Sequence, residues 1–490
     1  MSQKTRKSTD TPRPVSPECV SVASTNFSDL NLSVSGLDNL SVFGQASQPS
    51  VAASEAVQQN NASMPRPVGR ITSDIGPDPG CSQTQIKFDD LLSQEAVEGI
   101  RFDFAFGYRV SIPPSPQPRT YLVKIFDMTS GMQLWQAEMQ SGPTVIGQKK
   151  FLIRYRLEIH RDGKLLFAHD FDLKGRKVYA VIPDGGLGDN LAWLPIVEEF
   201  RKTTEANVTC VIGEWIIKLC ADLYPGLTFV PVDEKPLLHQ AYACYFCGIF
   251  DAEHLDWRPI EHQQLGMQGS VESILGLPTG VAHKCRLHTG SARPFPEPYV
   301  CISSMGTNPC KCWNYEGGWN QVIRFLKGCG YRVLDIDRDS ELFFAGKRYA
   351  IPTEAEDFTG RFPIQERIDL LEHADFFIGL PSGLSWLAWE LDLPVVIIAG
   401  FNLANCEFPT PYRITNFLAC HGCWNDSRNF FDQKVPVWCP RHVGTPREIE
   451  CTRAVTPKMV LDTIMKIPQF RQQTANMILK QAQEVANGQA

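Results

Sequence analysis

The spacing of apolar and polar residues changes twice along the chain. Residues 1–93 are rich in Ser, Pro, Gln, Asn and Thr without a sustained period, which predicts a mostly disordered tail. From Ile100 onward, apolar side chains occupy alternate positions over 102–112 and again over 151–159, as is typical of strands. With further strand patterns at 121–126 and 133–139 and a hairpin turn at Asp162-Gly163, we expect residues 94–176 to form a small β-barrel or sandwich.

After Lys177 the pattern becomes one of short apolar runs separated by helical segments. The runs form two series, at 178–182, 208–212 and 227–232, and then at 299–303, 331–336, 376–380 and 395–399. Helical patterns lie between them at 214–223, 319–327 and 364–373. This alternation predicts an α/β fold of parallel sheets covered by helices. We expect two Rossmann-like domains facing a cleft, 177–297 with an irregular Pro/His-rich span at 251–297, and 298–455, followed by a closing helix and tail at 456–490.

Composition and charge argue against several classes of protein. The net charge of −7 argues against a nucleic-acid binder, which normally carries a basic excess. No apolar run reaches the roughly 18 residues needed to span a bilayer, so we expect no membrane span. The N-terminal basic residues are not followed by an apolar core, and 16 cysteines without a secretory signal predict a cytoplasmic protein whose thiols stay reduced or bind metal.

A glycine-rich turn follows the first strand of the first α/β series. Gly185, Gly186 and Gly188 permit a tight turn, and Asp189 lies where a helix must begin. Asp189 could be a helix cap in a plain strand-to-helix turn. The turn is not the dinucleotide fingerprint, because Asn190 and Leu191 occupy the position of its third glycine. The motif therefore predicts a site at the carboxyl end of a strand.

Two further turns follow strands of the second series. Residues 379–386 read GLPSGLSW and open an apolar helix, so Ser382 is either only a helix cap or part of a phosphate-binding helix terminus. Residues 303–313 read SSMGTNPCKCW and contain one cation, Lys311. Lys311 is either a solvated side chain or, in a cleft that faces Ser382, the partner of a leaving diphosphate.

Four cysteines lie close together after the last strand of the second series. Cys420, Cys423, Cys439 and Cys451 are separated by two, fifteen and eleven residues, which predicts a structural tetrathiolate metal site within a finger at 405–455. The spacing favours zinc, and iron is chemically acceptable in the same cage. Free thiols are the alternative. Cys244 and Cys247 have no second pair nearby and are interpreted as core cysteines.

Together the β-rich module, the PDGGLGDN, NPCKCW and IGLPSGLSW turns and the four-cysteine finger resemble the bacterial autotransporter heptosyltransferases, from about residue 94 to 467. These are GT-B enzymes related to the lipopolysaccharide heptosyltransferases. The resemblance implies an ADP-heptose donor, serine hydroxyls of an autotransporter adhesin passenger as acceptors, and a large ring-like homo-oligomer. It also implies that Asp189 is the general base, that Lys311 contacts phosphate and that the four cysteines bind iron.

We expect 177–297 to bind the acceptor and 298–455 to bind the nucleotide sugar, and we expect inverting transfer in which Lys311 and the helix terminus at 382–385 make a catalytic metal unnecessary. The predicted substrate-binding residues are Gly186, Leu187, Gly188, Asn190, Ser382, Gly383, Leu384 and Ser385, with Asp335 and Asp337 as candidates for a ribose hydroxyl. Two features depart from the family pattern: the long N-terminal tail, and Pro381-Ser382-Gly383 with Trp386 where the lipopolysaccharide branch has Asp-Thr-Gly and His. The alternatives are a glycosyltransferase that uses another nucleotide sugar or a glycan or lipid acceptor, and a non-catalytic metal-finger adaptor.

Overall fold

The computed structural model describes residues 67–68, 87–88, 91–117, 119–183, 185–234, 237–249, 257–288, 290–432 and 434–488. Most of the predicted disordered tail lies outside these residues. Within it, Pro67–Val68 pairs antiparallel with the strand Thr144–Ile146, and Lys87–Phe88 pairs parallel with Leu237–Leu238. These two dipeptides are therefore strand pairs in the fold.

The predicted β module consists of two antiparallel sheets. One contains, in spatial order, Pro67–Val68, Thr144–Ile146, Arg109–Ser111, Arg101–Asp103 and Gln94–Glu95, and the other contains Lys164–Asp170, Tyr155–Arg161, Thr120–Asp127 and Gln133–Gln140. The predicted hairpin is confirmed, because Arg161 faces Lys164 across a turn in which Asp162 and Gly163 both have positive φ, 51° and 75°. Side chains of both sheets, such as Val110, Val123 and Leu157, are buried in one core.

Two strand predictions in this module are longer than the strands that form. The run 102–112 is broken at Gly107, whose φ is 70° and where a Cβ atom would lie 2.5 Å from the Gly147 carbonyl oxygen. The bend lets Arg109 donate to both carboxylate oxygens of Asp103 inside the core, at 2.6 and 2.7 Å. The run 151–159 forms a strand only from Tyr155 onward.

The first α/β domain has a parallel four-stranded sheet. Its spatial order is Thr228–Pro231, Asn207–Ile212, Lys177–Val181 and Ala243–Phe246. The helices of this region are Leu187–Thr204, Glu214–Cys220 and His262–Ile274. The strand order reverses between Lys177–Val181 and Ala243–Phe246, and such a switch point opens a crevice at the carboxyl ends of the strands. Cys244 and Cys247 are core cysteines, as predicted.

The expectation of an irregular span at 251–297 is wrong for His262–Ile274. This helix has weak apolar periodicity because it is rich in Gln and Gly, and it is interrupted at Gly266, whose φ is 74°. A Cβ atom on Gly266 would lie 1.8 Å from the Asn405 carbonyl oxygen, so the interruption lets the backbone of the second domain approach closely.

The second α/β domain has a parallel six-stranded sheet in the order of a Rossmann fold. Its strands are Glu356–Asp357, Arg332–Asp335, Tyr299–Ile302, Phe377–Gly379, Val395–Ile398 and Arg413–Ile414. Its helices are Gly318–Gly328, Ile364–Glu372, Gly383–Glu390 and the short Glu450–Arg453. The switch point lies between Tyr299–Ile302 and Phe377–Gly379. Both predicted Rossmann-like sheets are thus present.

The remaining elements are a hairpin, the closing helices and short 3₁₀ turns. The hairpin Glu341–Phe344 and Lys347–Ala350 was not predicted. The expected closing helix is Pro457–Ile464, capped by Thr456, and a second helix, Pro468–Gly488, occupies most of the expected tail. The 3₁₀ turns are Val97–Gly99, Ala221–Leu223, Val232–Glu234, Pro309–Lys311 and Ala404–Cys406. Among the described helices, none combines the length and apolar character needed to cross a bilayer.

Candidate active site

One cavity lies where the switch points of the two sheets face each other. Its volume is about 680 Å³, and residues of both α/β domains and of the finger line it. The lining includes most of the residues that the sequence singled out, namely Gly186, Leu187, Gly188, Asp189, Lys311, Asp337, Ser382, Gly383 and Leu384. Residues that are more than 190 positions apart in the sequence thus share one site.

The two glycine-containing turns touch each other at the wall of this cavity. A Cβ atom on Gly188 would lie 2.9 Å from Cδ1 of Trp386 and 3.2 Å from the Cα atom of Gly383. A Cβ atom on Gly383 would lie 2.9 Å from the Gly188 nitrogen. Neither glycine needs a positive φ. Both are required because the helices Leu187–Thr204 and Gly383–Glu390 begin in mutual contact.

Asp189 lies in the first turn of the helix Leu187–Thr204 and faces the cavity. The N-cap of this helix is Gly186, so the interpretation of Asp189 as the N-cap is wrong. Asp189 is the third helical residue, and its Oδ2 atom accepts the Gly186 backbone N–H at 2.8 Å. Burial raises the pKa of Asp189, while the Gly186 N–H and the Lys311 charge lower it. A carboxylate with a raised pKa is a stronger base than an exposed aspartate. The hydrogen bond to Gly186 and proton transfer are therefore compatible at this residue.

Lys311 ends the 3₁₀ turn Pro309–Lys311 that follows the strand Tyr299–Ile302. Its side chain is half-buried, and its Nζ atom lies 5.1 Å from the ring centroid of Phe431 and 5.8 Å from that of Phe401. The turn is capped by Asn308, whose Oδ1 atom accepts the Cys310 N–H at 3.2 Å. Lys311 is therefore held at the cavity wall and is not a fully solvated side chain.

Ser382 is the N-cap of the helix Gly383–Glu390. Its Oγ atom is buried and has no hydrogen-bond partner in the described structure, although it lines the cavity. The first backbone N–H groups of a helix likewise lack intrahelical partners, and the helix dipole favours an anion beside them. The unpartnered hydroxyl and the helix terminus together are suited to a phosphate group.

Three of the predicted substrate-binding residues, Asn190, Ser385 and Asp335, do not line the cavity. Asn190 donates to the Gly185 and Gly186 carbonyl oxygens at 3.2 and 2.9 Å, and Ser385 donates to the Leu380 carbonyl oxygen at 2.6 Å. Both are buried and shape the two turns from behind. Their side chains therefore support the site without facing the cavity.

Asp335 and Asp337 bind the loop that leads toward Lys311. Asp337 accepts from the Ser303 hydroxyl at 2.6 Å and from the Ser304 and Met305 N–H groups, both at 2.8 Å. Asp335 is fully buried, accepts the Ser304 hydroxyl at 2.6 Å and lies outside the cavity. Burial raises the pKa of Asp337 to about 6 and raises that of Asp335 further. Their contribution to a ribose contact stays a prediction, and their observed contacts fix the loop.

Sequence reasoning missed the residues that complete the cavity wall. His262 and Gln263 come from the helix in the span expected to be irregular, and Trp424 and Phe431 come from the finger. Burial, with the nearby Arg258 charge, lowers the pKa of His262 to about 4, so the ring is neutral near pH 7. Nothing in the local pattern around these residues distinguishes them, because only the tertiary fold brings them to the cavity.

The finger is docked on the first α/β domain through Gln263. Its Nε2 atom donates to the Trp424, Asp426 and Asn429 carbonyl oxygens at 2.7, 3.2 and 2.9 Å. The Trp424 ring also packs edge-to-face against His262, with centroids 5.3 Å apart. The finger therefore closes one side of the cavity.

The four finger cysteines lie near one another. Burial, together with the neighbouring Cys420 and Cys439 thiols, raises the pKa of Cys423 and of Cys451 to about 12. Sulfur atoms also accept N–H groups, as Cys439 does from Ile449 at 3.4 Å. Soft sulfur donors suit a tetrahedral iron or zinc ion. Among the described residues, the group whose ligand atoms lie within 4.8 Å of one another is Cys420, His442 and Glu450, so the four-cysteine site stays a prediction.

Comparison with known proteins agrees with this architecture. The family model of the glycosyltransferase TibC N-terminal domain matches residues 97–163, and that of glycosyltransferase family 9 (heptosyltransferase) matches residues 272–412. The autotransporter heptosyltransferase TibC of Escherichia coli O78:H11 is 40% identical over 380 residues, which cover 77% of this chain and 92% of the relative.

A crystal structure and an inactive relative extend the comparison. The structure of dodecameric iron-containing TibC in complex with ADP-D-beta-D-heptose matches with a TM-score of 0.73 and 38% identity, covering 79% of this chain and 99% of that one. The inactive autotransporter heptosyltransferase BimC of Burkholderia thailandensis is 35% identical over 382 residues, which cover 77% of this chain and 88% of the relative.

Two Rossmann-like domains that share one cavity are the GT-B architecture, and the family matches identify the chain as a glycosyltransferase. The β module and the second half of the chain match the two glycosyltransferase family models. The chain belongs to the autotransporter heptosyltransferase family.

Proposed function

We propose that this protein transfers heptose from ADP-heptose to serine hydroxyls of an autotransporter adhesin, with inversion at the anomeric carbon. One observation carries the proposal: Asp189, Lys311 and the N-terminus of the helix Gly383–Glu390 line the same cavity. The crystallised complex of TibC with ADP-D-beta-D-heptose supports the choice of donor.

The diphosphate of the donor would lie at the turn Ser382, Gly383 and Leu384. There it would accept the free N–H groups of the helix terminus and the unpartnered Ser382 hydroxyl. Lys311 would contact it from the opposite loop. The nucleoside would extend into the second α/β domain, where Phe362 lines the cavity with half of its side chain exposed.

The transfer would be a single displacement. The Asp189 carboxylate takes the proton of the acceptor serine while the serine oxygen forms a bond to the anomeric carbon. The bond from that carbon to the phosphate oxygen breaks, and its electron pair leaves with ADP. Lys311 and the helix terminus stabilise the negative charge that develops on ADP, which is a preorganised electrostatic contribution. Attack from the face opposite the leaving group inverts the configuration.

The finger would hold one structural metal ion. Cys420, Cys423, Cys439 and Cys451 would supply four thiolates, with iron as the expected ion and zinc as the alternative.

We place the protein in the cytoplasm as a large homo-oligomer. All 14 cysteines in the described residues are free thiols, which supports a reducing compartment. Phe417 and Leu418 on the finger are 70% and 100% exposed, which supports an interface between copies.

Transfer by purified protein tests this proposal. Incubation with ADP-heptose and an adhesin fragment should add the mass of heptose to serine-containing peptides, and NMR of the product should show the inverted anomeric configuration. Asp189→Asn should keep the fold, because the Asn amide oxygen can still accept the Gly186 N–H, and should slow transfer about 10²–10⁴-fold. Glu214→Gln, an exposed acid in the first turn of another helix, is the matched control.

Three results would change the assignment. Wild-type turnover by Asp189→Asn would exclude Asp189 as the base. Transfer of a different sugar, or transfer to a glycan or lipid, would replace the proposed donor or acceptor. An adhesin that binds the protein but is never modified would favour the non-catalytic adaptor.

A further inference from the structure

The loop that carries Lys311 is attached to the finger through one buried side chain, Asn308. This residue is 1% exposed. Its Oδ1 atom accepts the Cys310 N–H of its own turn and the Trp438 N–H of the finger, both at 3.2 Å, and its Nδ2 atom donates to the Val435 carbonyl oxygen at 2.8 Å. One amide group therefore joins the turn before Lys311 to two finger residues.

The same part of the finger also contacts the other end of Lys311. The ammonium group lies 5.1 Å from the ring centroid of Phe431, within the range of a cation–π interaction. The Phe431 ring packs edge-to-face against Trp438, with centroids 5.0 Å apart. Finger residues thus hold Lys311 at two points: they fix its backbone through Asn308, and they contact its ammonium group.

We propose that Asn308 is a positioning residue that makes the placement of Lys311 depend on the folded finger. The finger then contributes to the transfer step as well as to architecture. This inference rests on the proposed contact of Lys311 with the leaving diphosphate. Asn308 itself acts through Lys311, since its polar atoms are engaged by Cys310, Val435 and Trp438.

The expected effect follows from the sensitivity of catalysis to geometry. A displacement of a catalytic group by about 1 Å can slow an enzyme about 10²-fold. Asn308→Ala removes the bonds to both finger residues and the cap of the turn. Asn308→Ser keeps a hydroxyl that can cap the Cys310 N–H but cannot reach the Val435 carbonyl, so it isolates the attachment to the finger.

Asn416 provides a matched control inside the finger. Its Oδ1 atom accepts the N–H of Leu418, two residues on, at 3.0 Å, and its Nδ2 atom donates to the Ala454 carbonyl oxygen at 2.8 Å. Two of the three bonds that Asn308 makes, one to its own turn and one to a distant carbonyl, thus have counterparts at Asn416, and neither Asn416 bond involves the Lys311 loop. Asn416→Ala tests whether any lost asparagine bond in this region slows transfer.

The experiment is a double-mutant cycle on the full-length protein, with kcat, ADP affinity and bound metal measured for each variant. Asn308→Ala and Asn308→Ser should lower kcat about 10–100-fold with metal content unchanged, whereas Asn416→Ala should keep wild-type kcat. In a Lys311→Ala background the Asn308 substitutions should lower kcat by less than about threefold more, because the group they position is gone.

Each other outcome has a distinct meaning. Asn308 variants with normal kcat, beside an impaired Lys311→Ala, would overturn the inference alone. Losses that multiply in the double variants, or variants that lose their metal together with activity, would show that Asn308 only stabilises the fold. An unimpaired Lys311→Ala would instead refute the proposed leaving-group role, and this inference with it.

Discussion

Replacing Gly188 with alanine tests whether the contact between the two glycine turns is essential. Gly188 lies in the first turn of the helix Leu187–Thr204, immediately before Asp189. Its backbone needs no positive φ, so alanine is conformationally acceptable there and is intrinsically the better helix former. The new methyl group, however, would lie 2.9 Å from Trp386 and 3.2 Å from Gly383.

The two effects have opposite signs, and their sizes can be compared. Alanine in place of glycine within a helix stabilises it by about 0.5–1 kcal/mol. Extra volume in a packed contact costs about 1–3 kcal/mol. Both atoms that the methyl group meets belong to the start of the helix Gly383–Glu390, and one of them is a backbone atom. The steric clash can therefore be relieved only if this helix moves. The midpoints of the two ranges differ by about 1 kcal/mol, so we expect Gly188→Ala to be destabilised by about 1 kcal/mol.

Gly328 provides the control, because it is the last residue of the helix Gly318–Gly328 and a Cβ atom there meets nothing within 4 Å. Denaturant unfolding should show Gly328→Ala equal to or more stable than the wild type and Gly188→Ala less stable. ADP binding and transfer should fall only in Gly188→Ala, since the same shift separates Asp189 from the Ser382 turn. A Gly188→Ala protein with wild-type stability and transfer would refute the close contact.

Two further perturbations test the base and the metal. Because a general base must be deprotonated, transfer should fall as the pH decreases through the raised pKa of Asp189, and Lys311→Ala should move that acidic limb of kcat/KM to still higher pH by removing a charge that lowers the pKa. If the acidic limb of kcat/KM stays at the same pH in Lys311→Ala, that result would contradict the electrostatic interaction between Lys311 and Asp189. Elemental analysis should find about one metal per chain, lost in Cys420→Ser and kept in Cys244→Ser. Metal lost in His442→Ala would instead assign the ion to the group of Cys420, His442 and Glu450.

The sheets were predictable because each carries a local signal. Buried parallel strands such as Val395–Ile398 are short apolar runs, and the hairpin at Asp162-Gly163 follows from residues that tolerate positive φ. The helix His262–Ile274 was missed for the converse reason. Its buried residues include Gln263, Gly266 and Ser270, which are held by hydrogen bonds and close backbone contact, so no apolar stripe marks it.

The individual motifs were visible in the sequence, but their contacts were not. Both turns read as strand-to-helix connections, whereas only the fold shows that Gly188 and Gly383 touch and that Asn190 and Ser385 face away from the cavity. The finger was predicted from its cysteine spacing, which says nothing of its aromatic residues. Tertiary packing brings Trp424 and Phe431 to the cavity wall.

A relative that is 35% identical to this chain is named an inactive autotransporter heptosyltransferase, so resemblance alone does not establish transfer. Membership in the family therefore decides the architecture, and activity depends on a few side chains at the cavity. Here the carboxylate of Asp189, the ammonium of Lys311 and the unpartnered hydroxyl of Ser382 are all present and line one space. A scaffold that only bound a partner would not require a base, a cation and an anion-binding helix terminus to converge, and this convergence favours the enzyme over the adaptor.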